Sequence, residues 1–221
     1  DTLNTKIAVV EATECPTLLN NGYGEHNIQG IGDKHVPLIH NVMNTDFVVG
    51  ISDQATNNLN LMFNTDLGKK YLISKKGFDN NFVNRLPEFG FSTIANILAS
   101  IKLAKYMKLG SDDAIITVAT DGADLYLSEL QKTKEDFTGI YDETACAEIY
   151  GQYLKGISTD NTLELNQKEK ERIFNLGYYT WVEQQGVDIN EFEKRRDQSF
   201  WNDHHNYMLS LDNRIKEFNS M

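Results

Sequence analysis

The sequence predicts an α/β protein, built as a three-layer sandwich around a parallel sheet and followed by a helical C-terminal extension. Short apolar runs rich in β-branched residues alternate with helical patterns as far as about residue 124. Beyond that point every patterned segment has helical periodicity. We therefore expect an α/β domain over residues 1–124 and a helical extension over 125–221 that packs on this domain or on a partner.

Three apolar runs predict buried parallel strands. They are KIAVVEA (residues 6–12), TDFVVGIS (45–52) and DAIITVATDG (113–122). Ligands of parallel sheets bind beyond the carboxyl ends of the strands. The loops that follow Ala12, Ser52 and Thr120 are therefore the expected location of a functional site.

Helical patterns lie between and after these runs. Ser52 or Asp53 is predicted to cap a helix over SDQATNNLNLMF. The clearest helix is FSTIANILASIKLAKYMKLG, with Ser92 or Thr93 as its cap and Gly110 as its stop. Residues 68–89 are predicted to form an irregular, partly helical connector. Four further helical segments follow: LYLSELQKTKEDF, DETACAEIYGQYL, LNQKEKERIFNLGYYTWVEQQ and the long stretch from INEFEK to IKEF.

Composition excludes several classes of function. The net charge of −11 over 221 residues would repel phosphodiester backbones and anionic lipid, so nucleic acid is not an expected partner. No window approaches about 18 consecutive apolar residues, so no membrane-spanning helix is predicted. Two cysteines, Cys15 and Cys146, are too few for a disulfide framework. With no secretory signal in the sequence, we expect a cytoplasmic protein with free thiols.

The stretch GEHNIQGIGDKHVP (24–37) concentrates chemically capable residues. No metal site is predicted there, because the spacing of its potential ligands matches no familiar metal motif. Those potential ligands are His26, His35 and His40, with Glu25 and Asp33 close by.

Two glycines of this stretch, Gly30 and Gly32, allow two interpretations. Without side chains they let a flat ring approach the backbone closely, or they form a tight turn with positive φ. Phosphate-loop patterns are absent. Lys34 is predicted to be an exposed loop lysine rather than a Schiff-base lysine, because its charged neighbours keep it solvated.

Three segments, taken together, resemble one family of enzymes. VVEATECPTLLNNGYGEHNIQGIGDKHVP is similar to the cysteine synthase and cystathionine β-synthase segment that contains H-x-I-Q-G-I-G. EFGFSTIANILASIKLAKYM resembles the EGISSGAN helix start, and VATDGADLYLSEL resembles DSGERYLS. The resemblance covers about residues 6–130 and identifies a fold-type II, tryptophan synthase β-like pyridoxal-phosphate enzyme. The run GEHNIQGIGDKHVPLIHNVMNTD (24–46) and the long helical tail look closer to the lyase/thiolase branch, which includes the β subunit of 2-amino-4-oxopentanoate thiolase.

The resemblance implies roles for particular residues. Gly30 and Gly32 are expected beside the cofactor ring. Gly122 falls where the family has the serine that bonds the ring nitrogen, so Thr120 or Asp121 is expected to replace that serine. An aspartate would keep the nitrogen protonated, whereas a hydroxyl would leave it neutral. Asp33 and His35, beside the glycines, are candidates for contacts with the substrate.

Two essential parts of the family are missing from this sequence, the Schiff-base lysine and the glycine- and threonine-rich phosphate loop. We therefore expect no catalytic residue in these 221 residues. By family analogy, the chain is predicted to be the C-terminal part of a polypeptide of roughly 400 residues or more. This part alone is expected to lack pyridoxal 5'-phosphate and to be inactive.

The whole protein would then be a lyase or transferase that acts on an amino acid, as a homodimer or with a second subunit. It would catalyse β-elimination or β-replacement, or act as the β subunit of an amino-ketoacid thiolase. A non-catalytic regulatory or assembly module with a cofactor-type fold is the alternative. A Rossmann-type nucleotide binder is disfavoured, because no GxGxxG follows the first strand.

Overall fold

A computed structural model describes residues 5–220, apart from the side chains of His205 and Leu209. The described chain is mostly helical and carries one small three-stranded sheet, so the predicted α/β class is confirmed. The strands are β1 (Ala8–Ala12), β2 (Phe47–Ile51) and β3 (Thr162–Glu164), in the order β1-β2-β3.

The sheet is mixed rather than parallel. The amide of Phe47 donates to the carbonyl of Ile7 (3.0 Å) and that of Thr13 to Ile51 (2.9 Å), so β1 and β2 run parallel. The amide of Gly50 donates to the carbonyl of Asn161 at 2.8 Å, and β3 runs antiparallel to β2. The first two predicted strands are therefore confirmed with shorter bounds, whereas β3 lies in a region predicted to be helical.

The third predicted strand was wrong. Residues 113–122 form no strand in the described sheet, and the run is exposed from 113 to 120, with Ile116 at 94%. A β-branched sequence becomes a strand only when another strand supplies hydrogen-bond partners for its backbone. Here the sheet uses β3 as the neighbour of β2 instead.

Seven α-helices lie between β1 and β3. They are α1 (Thr17–Asn20), α2 (Asp53–Phe63), α3 (Asp66–Lys76), α4 (Asn80–Arg85), α5 (Phe91–Met107), α6 (Leu127–Asp136) and α7 (Glu143–Tyr150). Ser52 caps α2, as predicted, by accepting from the amide of Ala55 at 3.2 Å. The N-cap of α5 is Gly90 rather than Ser92 or Thr93, and the helix ends at Met107 before Gly110 is reached.

The predicted irregular connector is largely helical. Thr65 and Asp79 provide side-chain N-caps for α3 and α4, and Gly77 ends α3 with φ +73°. A short 3-10 turn, Leu86–Glu88, joins α4 to α5. The sequence showed no clear helical periodicity here because α3 and α4 have few apolar positions. Their N-cap side chains set where these helices begin.

The chain forms two compact units. One comprises residues 9–34 and 48–163, and the other comprises residues 5–8, 35–47 and 164–220 among those described. This division does not follow the predicted boundary at residue 124, which stays a prediction. The second unit contains α8 (Gln167–Tyr178), α9 (Ile189–Lys194) and α10 (Gln198–Asn219).

Aromatic packing forms the core of the second unit. The rings of Phe174 and Phe192 lie 4.7 Å apart, and the indole of Trp181 donates to the carbonyl of Val36 at 2.7 Å. The guanidinium of Arg195 is buried 4.9 Å from the ring of Phe192. Burial lowers the pKa of Arg195 to about 10.

His40 in this unit is expected to make the free energy of unfolding depend on pH. Its ring lies 2.9 Å from the Thr45 hydroxyl, and burial, followed by the charge of Arg195, lowers its pKa below the ordinary 6.5. The unfolded state therefore binds more protons, so the free energy of unfolding should fall as pH drops through 6.5. Urea unfolding at a series of pH values measures this effect. His40→Gln should flatten the dependence, whereas His204→Gln, at an exposed histidine, should leave it intact.

Candidate functional site

The candidate site begins where β1 and β2 end. The segment of residues 13–34, which contains α1, follows β1, and Asp53 opens the helix that follows β2. The Asp53 carboxylate accepts the amides of Asn27 at 2.6 Å and Ile28 at 3.0 Å. Asp53, which follows β2, thereby holds the segment after β1 in place just before Gly30 and Gly32.

The glycine segment needs glycine for its backbone. Gly30 has φ +80° and Gly32 has φ +95°, a region that side chains strain. A β-carbon on Gly32 would also lie 2.8 Å from Nε2 of His26. The hydroxyl of Thr17 donates to the carbonyl of Asp33 and closes this turn. The geometry is thus a tight turn whose glycine backbone carries no side chain.

Residues from three separate parts of the chain meet beside Gly30. A β-carbon on Gly30 would lie 3.9 Å from Cβ of Ser92, in the first turn of α5. The hydroxyl of Ser92 lies 3.1 Å from that of Thr120, which in turn donates to Oδ1 of Asp121 at 3.1 Å. The glycine turn therefore lies close to the start of α5, and hydroxyl contacts link the start of α5 to residues 120–121.

Asp121 is held firmly in this arrangement. Its carbonyl accepts the amide of Gly90 at 2.9 Å, and its carboxylate accepts the Tyr126 hydroxyl. A β-carbon on Gly90 would lie 2.6 Å from Oδ1 of Asp121. Burial, followed by the hydrogen bond and the charge of Asp121, raises the pKa of Tyr126 to about 12. Tyr126 therefore remains a hydrogen-bond donor to the carboxylate throughout the physiological range.

An open cavity of about 530 Å³ lies along this segment. Thr120, Asp121 and Gly122 line it together with the loop that precedes α5. A β-carbon on Gly122 would lie 2.7 Å from Oδ1 of the exposed Asp124 and 3.2 Å from the carbonyl oxygen of Pro87, so space beside its backbone is tight. Thr120 and Asp121, the two candidates for the ring nitrogen, thus border one cavity with Gly122.

A second cavity, of about 620 Å³, lies beside the carboxyl ends of β1 and β2. Its lining is polar and includes Glu14, Asp53, Glu129 and Lys132. Burial chiefly, with a contribution from the charge of Glu14, raises the pKa of Asp53. The Oε2 atom of Glu129 is buried and makes no hydrogen bond. The cavity therefore suits a polar group that can donate hydrogen bonds.

The remaining candidates are placed as follows. Asp33 and Lys34 are exposed in the first unit, and His35 is exposed in the second. Cys15 and Cys146 are both buried free cysteines. Within residues 5–220, no group of three or more His, Cys, Asp or Glu side chains is arranged to hold a metal ion. No helix in the same range is long and apolar enough to cross a membrane.

Sequence reasoning missed several residues of the site. Ser92 was interpreted as a helix cap, and Tyr126 and Glu14 were not considered. The aromatic in DLYLSEL offered a signal for Tyr126, since it lies five residues after Asp121 at the start of a helical segment. The link from Asp53 to the glycine turn had no local signal, because it joins residues far apart in the chain.

Two features of this arrangement suit a flat, electron-withdrawing cofactor ring, although the ring of His26 lies against Gly32 and neither Gly30 nor Gly32 lines the cavity beside Thr120 and Asp121. The turn offers backbone without side chains, and the neighbouring residues Ser92, Thr120 and Asp121 offer two hydroxyls and a fixed carboxylate.

No protein-family model matches the chain, and no curated protein matches it.

Proposed function

We propose that this chain supplies the ring-facing half of a pyridoxal-phosphate site in a fold-type II enzyme that acts on an amino acid. The observation that carries the proposal is the proximity of Gly30 to Ser92, together with the hydroxyl contacts that link Ser92 to Thr120 and Thr120 to Asp121. These residues come from the three segments whose motifs resemble the family. The resemblance concerns the motifs one by one, whereas the geometry concerns their proximity in the fold.

Each residue has a role in this proposal. The backbone at Gly30 and Gly32 lies against the face of the ring. The hydroxyl of Thr120 or the carboxylate of Asp121 bonds the ring nitrogen, and Tyr126 orients that carboxylate. When bound, the cofactor supplies an electron sink for the carbanion formed from the substrate. An Asp121 carboxylate at the nitrogen would hold a proton there and strengthen that sink.

The remaining parts of such a site lie elsewhere in the proposed enzyme. The Schiff-base lysine and the phosphate loop are assigned to a preceding part of the polypeptide. In that larger protein, residues 113–122 become a strand of an extended parallel sheet, within a three-layer sandwich. The exposure of residues 113–120 here, despite an apolar and β-branched sequence, supports this role.

The reaction class follows from the family branch. We propose β-elimination or β-replacement on an amino acid, or cleavage of an amino-ketoacid with acyl transfer to a thiol. Asp33 and His35 remain the candidates for substrate contacts. The proposed assembly is a cytoplasmic homodimer, or a complex with a second subunit.

A non-catalytic assembly module is the second candidate. It is favoured by α10, which exposes the apolar side chains of Met208, Ile215 and Phe218. These residues recur at spacings of seven and three, as on one face of a helix that meets a partner. In that case the glycine turn would serve the fold alone.

Expression of the full gene, followed by titration with pyridoxal phosphate, tests the proposal. We expect a visible absorption band that differs from the band of the free cofactor and that shifts when an amino-acid substrate is added. A full-length protein whose spectrum and melting temperature do not respond to the cofactor would contradict the enzymatic proposal and favour the assembly module.

Substitution at residues 120 and 121 identifies the partner of the ring nitrogen. Loss of that bond should weaken cofactor binding by about 10- to 100-fold, the range for a hydrogen bond to a charged group. If Asp121 is the partner, Asp121→Asn should show this loss, and Thr120→Val should show it if the hydroxyl is the partner. Thr144→Val, at an exposed threonine of α7, is the matched control. Cofactor affinity unchanged in both site variants would exclude this segment from the site.

A further inference from the structure

A separate cavity of about 180 Å³ lies among α2, α3, α4 and α5. All eleven side chains that line it are apolar. Leu59, Leu72 and Leu86 form part of its wall and are almost completely buried. The cavity therefore offers a dry, hydrocarbon-like surface and no hydrogen-bonding partner.

Two phenylalanines form the mouth of this cavity. Phe78 is 37% exposed and Phe82 is 50% exposed, and their stacked rings lie 6.0 Å apart. The backbone fixes both positions. The amide of Phe78 donates to the carbonyl of Leu72 at 3.2 Å, and the amide of Phe82 donates to Asp79 at 3.0 Å. The mouth is therefore a defined feature built by the caps of two helices.

The segment that builds the cavity departs from the resemblance described above. Residues 66–87, which form α3, α4 and most of the turn after them, lie outside the three motifs that resemble cysteine synthases. The opposite wall belongs to α5, through Ile94, Ile97 and Leu98. Nothing in the proposed cofactor site uses these residues, so the cavity requires its own explanation.

Size and lining define what can occupy the cavity. A buried water needs two to four polar partners, and this lining provides none. An apolar cavity of about 150 Å³ lined by Leu, Ile and Phe stays dry and takes up benzene. Aromatic rings at the mouth add edge-to-face contacts with an aromatic guest. We propose that this cavity binds a small uncharged aromatic molecule, about the size of a substituted benzene ring.

Fluorobenzene is the probe for this proposal, used with the full-length protein. We expect saturable broadening of its fluorine resonance and nuclear Overhauser contacts with the ring protons of Phe78 and Phe82. Binding should also raise the melting temperature, because the ligand stabilises only the folded state. Absence of saturable binding, or contacts with other residues only, would overturn the proposal without bearing on the cofactor site.

A matched pair of substitutions locates the site. Ile97→Asn places a polar group in the wall and should weaken fluorobenzene binding by about tenfold or more. Ile140→Asn makes the same change at an exposed isoleucine and should leave binding unchanged. Equal affinity in the two variants would overturn the proposal. If Ile97→Asn does not fold, the contacts observed in the wild-type protein remain the deciding measurement.

Discussion

Replacing Gly68 with alanine is expected to destabilise the first unit by about 3 kcal/mol or more, because the new β-carbon has no space. Gly68 lies in the first turn of α3, where the helix passes the end of α2. A β-carbon there would lie 2.0 Å from the carbonyl oxygen of Met62 and 2.8 Å from its Cα. These are backbone atoms of a helix, so no side-chain rotation can relieve the overlap.

Urea unfolding of the Gly68→Ala protein measures this effect, and Gly151→Ala is the matched control. Gly151 has helical angles (φ −62°, ψ −48°), and a β-carbon there meets nothing within 4 Å. That substitution should raise the free energy of unfolding by about 0.4–1 kcal/mol, because alanine lowers the conformational entropy of the unfolded chain. If Gly68→Ala cost less than about 1 kcal/mol, α2 and α3 would not pack as closely as described.

Local signals explain why much of the first half could be predicted. The apolar runs of β1 and β2 and the cap at Ser52 are features of neighbouring residues, and the structure contains all three. The helical periodicity of α5 is equally local. Only its ends were misplaced, because Gly90 and Lys108 act as caps through backbone conformation rather than through side-chain type.

Strand pairing could not be predicted from composition. Residues 113–122 have a strongly strand-like sequence and form no strand, whereas the short, partly polar segment TLE forms β3. The difference is the availability of a neighbour, since β3 pairs with β2 from a distant part of the chain. A sequence pattern indicates the conformational preference of one segment, but it does not indicate which edge of the sheet is available for pairing.

Some residues of the candidate site could be predicted from local motifs, and others could not. Gly30, Gly32 and residues 120–122 were identified from motifs, and their role with a cofactor stays a prediction. Ser92 and Tyr126 were missed as site residues because their importance depends on contacts with Thr120 and Asp121. Those contacts bring residues from separate motifs together, which no single motif shows.

Replacing Lys102 with methionine is the second change expected to have a large effect. Lys102 lies on α5, and its side chain is only 7% exposed. Its ammonium donates to the carbonyls of Gly50 at 3.1 Å and Asp160 at 2.7 Å, and it lies 2.9 Å from the Asp160 carboxylate. It therefore joins the end of β2 to the residues that lead into β3.

Methionine keeps the length and helical propensity of the side chain but removes every donor. Two carbonyls lose a charged partner, and we expect a loss of about 2–3 kcal/mol in the free energy of unfolding. The carboxylate contributes less, because the Asp160 side chain is 65% exposed and can be solvated again. Asp160→Asn should therefore cost about 0.5–1 kcal/mol.

Lys105→Met separates this effect from a general loss of positive charge on α5. Lys105 is exposed, and its ammonium donates to the carbonyl of Ile157, in the same stretch of chain, at 2.6 Å. Because water can replace that bond, the substitution should change stability by less than about 0.5 kcal/mol. Denaturant unfolding of the three variants should therefore rank Lys102→Met well above Asp160→Asn, and Lys105→Met last. Equal losses for the two lysine variants would mean that burial of Lys102 adds nothing, and that the end of β2 is held by its strand pairing alone.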